Sequence, residues 1–129
     1  MANILHFMVP ADNIGRAKHF YKSLLGWKIA PVTSQVMDRR KLAAMEYHEI
    51  TTGDAKTGTL NTGGLYRRHM GEPILNFVEV EDIDSILAKV EKLGGKITLP
   101  KTEIQGVGLN AMIQDSEGNL IGLLQPAGR

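Results

Sequence analysis

The feature that most constrains this chain of 129 residues is an internal repeat. The phrase Ile-Leu-His-Phe at residues 4–7 returns as Ile-Leu-Asn-Phe at residues 74–77, and an aspartate follows each phrase, Asp12 in the first copy and Asp82 in the second. Self-similarity of this kind indicates two copies of one supersecondary unit. It restricts the possible folds more tightly than residue propensities do.

Each copy continues with an amphipathic helix. Apolar residues recur at helical spacing over about residues 14–24 and again over 83–93, which predicts one helix after each aspartate. Asp12 and Asp82 are the expected N-caps, and Gly26 and Gly94 are the expected C-caps, because glycine adopts the left-handed conformation at a helix end. A Lys-Ile pair then begins a strand in both copies.

With the remaining strands, each copy has the order strand, helix, strand, strand, strand. Residues 41–51 and 57–67 are read as strands of the first copy, and residues 109–114 and 119–125 as the last two of the second, joined by a hairpin at 115–119. The turn-rich linker 68–73 separates module 1, about residues 1–68, from module 2, about 74–129. The expected fold class is α+β, with two tandem βαβββ modules.

Composition excludes several function classes. The formal net charge is only +1 and the aromatic content is 5%, so neither an electrostatic footprint nor a stacking platform for nucleic acid is expected. Without cysteine, the chain has no disulfides and no thiolate metal site or nucleophile. No apolar run is long enough for a membrane span, and a cytoplasmic location is expected.

Two motifs resemble those of the vicinal oxygen chelate superfamily, which includes glyoxalases, bleomycin-resistance proteins and dioxygenases. One is the helix pattern Ala17-X-X-Phe20-Tyr21-X-X-Leu24-Leu25-Gly26-Trp27, and the other is Asp115-X-X-Gly118-Asn119 before the final strand. The resemblance implies curved mixed sheets around a cleft, with the helices outside. It also implies a homodimer, since members are often homodimers.

Metal-dependent members of that superfamily carry a His or Gln on the first strand of each module and a Glu on the last. Counting back from Asp12 places the first ligand at Leu5, with His6 one residue further along; the same count from Asp82 reaches Leu75. Residues 55–71 contain no acid, and Thr62-Gly63-Gly64 lies where the first Glu would be. The last acid position falls on Gly122. The sequence therefore predicts no metal and no other cofactor.

An apolar pocket is the predicted functional feature. If Leu5 and Leu75 face the cleft, then Phe7 and Phe77 face it too, because side chains alternate along a strand, and His6 faces the helix layer. Such a pocket suits small hydrophobic or aromatic molecules. The expected lining residues are Leu5, Phe7, Trp27, Tyr47, Tyr66, Leu75, Phe77 and Met112.

The leading functional prediction is a protein of unassigned activity that binds or sequesters such a molecule, as the bleomycin-resistance branch does. The first alternative is a glyoxalase- or dioxygenase-type enzyme that holds a divalent metal with displaced ligands. Those ligands would be His6, Glu46 and His48, the last two sharing a face of the predicted strand 41–51. The second alternative is a structural or regulatory partner domain.

Overall fold

The computed structural model describes residues 2–32, 45–53 and 60–128. These residues form two compact units: the N-terminal unit, within residues 6–74, and the C-terminal unit, made of residues 2–5 and 75–128. The described strands and α-helices of both units follow the order strand, helix, strand, strand, strand. The predicted pair of βαβββ modules is confirmed.

The N-terminal unit has a four-stranded mixed arrangement with the strand order β2-β3-β4-β1. Strand β4 runs parallel to β1, whereas β2 pairs with β3 and β3 with β4 in antiparallel fashion. The elements are β1 (Ile4–Ala11), α1 (Ile14–Leu25), β2 (Lys28–Pro31), β3 (His48–Thr51) and β4 (Thr62–Arg67).

The C-terminal unit repeats this arrangement with the order β5-β8-β7-β6. Strand β8 is parallel to β5, and β6, β7 and β8 form an antiparallel series. Its elements are β5 (Leu75–Glu79), α2 (Ile83–Val90), a 3-10 turn (Glu91–Leu93), β6 (Lys96–Ile104), β7 (Gly108–Gln114) and β8 (Leu120–Pro126).

The helix caps agree with the prediction at three of the four positions. Asp82 accepts a hydrogen bond from the Ser85 backbone N–H at 3.3 Å, and Gly26 and Gly94 take the left-handed conformation, with φ of 69° and 94°. Asp12 is not a cap. Asn13 caps α1 instead, accepting from the Arg16 N–H at 2.9 Å.

The correction at Asp12 has a local cause. Its carboxylate accepts a hydrogen bond from Arg68 Nε at 3.1 Å, so it is held by the segment that follows β4. The neighbouring Asn13 has the extended backbone that an N-cap needs, with φ −136° and ψ 105°. The first helix therefore starts one residue later than its aspartate suggested.

Each unit has its own hydrophobic core beneath its helix. In the N-terminal unit Ile50 and Leu65 are completely buried and pack with residues of α1, although Phe20 and Leu24 of the predicted apolar stripe remain 54% and 65% exposed. In the C-terminal unit the fully buried Ile83 of α2 anchors the cluster. The buried members of that cluster are Val80, Ile83, Ala111 and Leu123.

Two predicted strands of the first copy begin later than expected. In the segment 41–51, residues 41–44 lie outside the described residues, Met45 is helical and Glu46 is in a turn, so β3 starts only at His48. Glu46 has a φ of 50°, which a strand cannot accommodate. In the segment 57–67, residues 57–59 are outside the described part and β4 starts at Thr62.

The predicted hairpin at 115–119 joins β7 and β8 as expected. Asp115 accepts hydrogen bonds from the backbone N–H groups of Glu117 and Asn119 at 2.8 and 2.9 Å, and from the Asn119 side chain at 3.0 Å. The bonds from Asn119 and then from Glu117 lower the pKa of Asp115 because they favour the carboxylate form.

No helix within the described ranges, 2–32, 45–53 and 60–128, has the length and apolar character that crossing a membrane requires.

Candidate functional site

Side-chain alternation along β1 divides its residues between two faces. Val9 and Ala11 belong to the core beneath α1, and the partly buried Phe7 packs against the same cluster. Because alternate residues point in opposite directions, His6 and Met8 lie on the face away from α1. This orientation is the reverse of the predicted one, in which Phe7 faced the cleft and His6 faced the helix.

Strand pairing extends this surface across the N-terminal unit. Gly64 is the register partner of both Met8 and Glu49, and Tyr66 is the partner of Pro10. Paired residues point to the same side of a sheet. We call this surface the far face of the N-terminal unit; its residues are His6, Met8, Tyr47, Glu49, Gly64 and Tyr66.

The aromatic ring of Tyr47 occupies the space beside Gly64. A Cβ atom built on Gly64 would overlap the phenol ring and hydroxyl group of Tyr47. Glycine is therefore required here by the close approach of the ring. Any larger residue at position 64 would have to displace Tyr47.

A strained turn presents Tyr47 in this position. The preceding Glu46 has the positive φ of 50°, and its carboxylate forms an exposed ion pair with Arg67 at 3.3 Å. The Glu46 carbonyl oxygen also contacts His48 Nδ1 at 2.9 Å. Backbone strain at a non-glycine residue costs free energy, and it persists where surrounding contacts hold it.

The Tyr47 hydroxyl group is hydrogen-bonded to His6 Nε2 at 3.0 Å. Burial, assisted by the charge of Glu49, raises the pKa of Tyr47 to about 12. Burial lowers the pKa of His6, and Glu49 opposes that shift. Both members of the pair are therefore neutral at pH 7, and the exposed Glu49 supplies a negative charge beside them.

Tyr66 completes the aromatic part of this face. It is buried, and burial together with the charge of Glu72 raises its pKa. Glu72 also accepts hydrogen bonds from the backbone N–H groups of His69 and Met70, each at 3.1 Å. The turn after β4 therefore holds the Glu72 carboxylate in place next to Tyr66.

The C-terminal unit distributes its first-strand residues differently. Val78 and Val80 pack against α2, so Phe77 lies on the face away from that helix, as predicted. Phe77 is the register partner of Gly122, and Gly122 is the partner of Met112. A Cβ atom on Gly122 would overlap the ring of Phe77. The far face of the C-terminal unit therefore has the row Phe77, Gly122 and Met112.

The other predicted pocket residues have different surroundings. Trp27 stacks on Tyr21 with ring centroids 5.1 Å apart and planes 7° apart, and it packs against the core beneath α1. Leu75 is buried. Leu5 is half-buried in β1 and has the same alternation phase as Phe7. Trp27, Leu5 and Phe7 are thus on the helix side of their sheet.

The sequence of this chain matches one protein family along most of its length. Residues 3–123 match the sequence model of the glyoxalase/bleomycin resistance protein/dioxygenase superfamily. The chain belongs to this superfamily. The match spans the described elements from β1 to β7 and ends within β8. No curated protein matches the chain in sequence.

Solved structures share the fold at low sequence identity. A superfamily member from Vibrio splendidus 12B01 is 14% identical, with a TM-score of 0.61 and coverage of 98% of this chain and 99% of that one. Methylmalonyl-CoA epimerase from Streptomyces coelicolor is 14% identical, with a TM-score of 0.64 and 97% coverage of both chains. A protein from Staphylococcus aureus is 21% identical, with a TM-score of 0.57 and coverage of 97% and 95%.

The corrected helix cap changes the residue that the count from the cap predicts at the superfamily's first ligand position. The count that led from Asp12 to Leu5 leads from the true cap, Asn13, to His6. In the second module the cap is Asp82 as expected, and the count still reaches Leu75. The missed signal in the sequence was Asn13, which is as good an N-cap residue as aspartate.

The residues present do not fit the divalent metal that many superfamily members hold. Of the four ligand positions only His6 has a donor side chain, and it is hydrogen-bonded to Tyr47. Leu75 has none, the segment Thr62-Gly63-Gly64 predicted for the first closing acid contains no acid, and the second closing position is Gly122. Aromatic rings pack against Gly64 and Gly122. A metal site needs several nitrogen or carboxylate donors around one ion.

The displaced ligands Glu46 and His48 do not supply the missing donors. Glu46 is paired with Arg67, and the turn at Glu46 removes the shared strand face on which their cooperation was predicted. In the described part of the chain, no three His, Asp or Glu side chains are grouped closely enough to hold a metal ion.

An open cleft of about 480 Å³ lies elsewhere, at the start of α2. None of the predicted pocket residues lines it. Its acidic side chains, including Asp82, stand where negative charge complements the helix dipole, which accounts for their presence. The residues around it are Ala2, Asn3, Glu79, Val80, Glu81, Asp82, Ser85 and Ile86.

Proposed function

We propose that this protein binds a small, largely apolar aromatic molecule without a divalent metal, using the far face of its N-terminal unit. One observation carries the proposal: the Tyr47 ring lies over Gly64, within the segment Thr62-Gly63-Gly64 where the superfamily's first closing acid is expected. The ring replaces a charged ligand with an aromatic surface. Such a surface favours planar molecules through burial and stacking.

The chemistry of the neighbouring side chains supports this proposal. The half-buried Met8 extends the apolar area beside Tyr47, and its side chain adapts to ligands of irregular shape. The His6–Tyr47 hydrogen bond provides a single polar point. An apolar surface with few polar groups is the usual composition of a small-molecule site.

Elemental mass spectrometry on untagged protein tests the metal-free part of the proposal. We expect less than about a tenth of an equivalent of bound metal after incubation with nickel, zinc, manganese or ferrous iron and desalting, because one imidazole alone binds divalent ions weakly. Near-stoichiometric metal that is lost in His6→Ala would contradict the proposal. That result would favour the rival function, a metal-dependent enzyme in which His6 is the first ligand.

Ligand-observed NMR with naphthalene derivatives tests the binding part. Tyr47→Ala is expected to weaken binding by about fivefold, since aromatic contacts of this kind contribute about 1 kcal/mol. Phe20→Ala is the matched control, because Phe20 is an aromatic residue that is exposed on α1. Equal losses in both variants, or no loss in Tyr47→Ala, would remove the far face as the binding surface.

A further inference from the structure

We propose that His6, Tyr47 and Glu49 make the far face select uncharged ligands that carry a hydroxyl group, and reject aromatic carboxylates of the same shape. This inference rests on the proposed function, because it concerns the ligand class of the same surface. It goes further by assigning specificity to three side chains.

A ligand hydroxyl group can hydrogen-bond to the His6–Tyr47 pair whichever of the two residues donates the hydrogen bond between them. If Tyr47 donates to His6 Nε2, the phenol oxygen still has a lone pair that can accept from a ligand hydroxyl. If His6 Nε2–H donates to the phenol oxygen, Tyr47 directs its own O–H at the ligand. A hydroxyl group both donates and accepts, so it matches both cases, and the partners, 3.0 Å apart, need not separate.

A ligand that covers this pair without hydrogen-bonding to it loses affinity. Covering displaces water from the phenol oxygen, and a polar group deprived of water without a replacement partner costs free energy. A purely apolar ligand such as naphthalene suffers that cost, whereas a naphthol does not. The pair therefore favours hydroxyl-bearing ligands over hydrocarbons of equal size.

The charge of Glu49 acts against anionic ligands. Glu49 pairs in register with Gly64, directly beside the Tyr47 ring, and its charge influences both His6 and Tyr47. Neither of these two groups is a cation at pH 7. Arg67 and Arg68, at the end of β4, are ion-paired with Glu46 and Asp12. Among the residues that the structure describes around this point, a carboxylate would meet one negative charge and no balancing positive one.

Three probes of matched shape test the inference: naphthalene, 2-naphthol and 2-naphthoate, with Kd measured by NMR titration at pH 7.5. The expected result is that 2-naphthol binds about tenfold more tightly than 2-naphthoate, which corresponds to a modest electrostatic difference. Glu49→Gln should narrow that ratio to about threefold, since Glu49 is exposed and screened by solvent. The matched control Glu103→Gln, an exposed carboxylate on β6, should leave the ratio unchanged.

Tyr47→Phe tests the hydroxyl part with little change of shape. We expect it to abolish the preference for 2-naphthol over naphthalene and to tighten naphthalene binding, because a ligand no longer covers an unpaired phenol oxygen. Thermal unfolding of each variant verifies that it is folded before its affinities are compared.

The possible outcomes separate this inference from the proposed function. Equal affinity for all three probes, or tighter binding of 2-naphthoate, overturns the ligand selection while the aromatic binding surface stands. An unchanged ratio in Glu49→Gln overturns the role of Glu49. If none of the three probes binds to the wild-type protein, the proposed function fails as well.

Discussion

The two modules begin with nearly identical four-residue segments, residues 4–7 and 74–77, whose side chains point to opposite faces of their sheets. Phe7 packs beneath α1 with the core of the N-terminal unit, whereas Phe77 lies on the face away from α2 in the C-terminal unit. The difference arises from the distance to the helix cap. Asn13 is six residues after Phe7, and Asp82 is five residues after Phe77. Because side chains alternate, a shift of one residue reverses the face.

In both modules, nevertheless, a phenylalanine ring of the first strand packs against a glycine. Phe7 contacts Gly63 and Phe77 contacts Gly122, so in each unit the first-strand phenylalanine packs onto a glycine of the parallel partner strand. In the C-terminal unit this contact lies on the far face. In the N-terminal unit it lies in the helix-side core, and Tyr47 covers a second glycine, Gly64, on the far face. Sequence repeats therefore do not establish which face a residue occupies.

The largest expected effect comes from removing the core ring of the N-terminal unit. Phe7→Ala should lower the free energy of unfolding by about 3 kcal/mol, measured by urea denaturation, because it leaves a cavity beside Trp27 and Gly63. The rings of Phe7 and Trp27 are 5.9 Å apart, so the Trp27 emission should also shift. The control Phe20→Ala, at an exposed site, should cost less than about 1 kcal/mol. Equal costs would place Phe7 outside the core.

A smaller effect is expected from filling the glycine of the C-terminal unit. Gly122→Ala should destabilise by about 2 kcal/mol, because the new Cβ overlaps the Phe77 ring. In a Phe77→Ala background the same change should cost little, and the double-mutant cycle measures this coupling. Gly15→Ala is the control, since its nearest neighbour would be at an ordinary 3.6 Å. Additive costs would show that Phe77 does not pack on Gly122.

Substitutions at the helix caps test the one-residue difference between the modules in the spacing from phenylalanine to cap. Asn13→Ala should cost about 1 kcal/mol, as should Asp82→Ala in the second module, because each removes a side-chain acceptor from a helix start. Asp12→Ala should cost less, since it removes only the ion pair with Arg68, in which Asp12 is largely exposed. A larger loss for Asp12→Ala than for Asn13→Ala would restore the register predicted from the sequence.

The smallest expected effect is a pH dependence from His6. Burial lowers the pKa of His6 from its ordinary value of 6.5, so the unfolded chain binds a proton at this imidazole more readily than the folded protein does. The contribution of neutral His6 to the free energy of unfolding is therefore complete above pH 6.5. It decreases as the pH falls from 6.5 toward the lowered pKa of His6 in the folded protein. Glu72 has a lowered pKa as well, but its ordinary value is 4.5, so it acts in a more acidic range.

Thermal unfolding between pH 7.5 and pH 5 measures this contribution. The wild-type Tm should fall over that range more than the Tm of His6→Gln, which has no group to titrate there. His19→Gln, which replaces an exposed histidine of α1, should follow the wild-type profile. Identical profiles for wild type and His6→Gln would show that His6 is not buried next to Tyr47.

Much of the fold could be predicted because its signals are local. The helical spacing of Ile83, Ile86, Leu87 and Val90, the glycine caps and the Asp115 hairpin all depend on neighbouring residues, and the structure confirms them. The candidate site could be predicted only in part. Phe77 and Met112 lie on the far face of the C-terminal unit, whereas Phe7 and Trp27 pack on the helix side of theirs, and a ligand pocket lined by Phe77 and Met112 stays a prediction.

The two βαβββ modules follow from the sequence alone, because repeated apolar periodicity, caps and turns act over a few residues. The sequence also shows that residues 55–71 contain no acid and predicts Gly122 at the last acid position of the superfamily. The face of each β1 residue depends instead on contacts between distant parts of the chain: Asp12 is bound by Arg68, 56 residues away, and Asn13 caps the helix in its place. The His6–Tyr47 pair, separated by 41 residues, depends on that long-range choice.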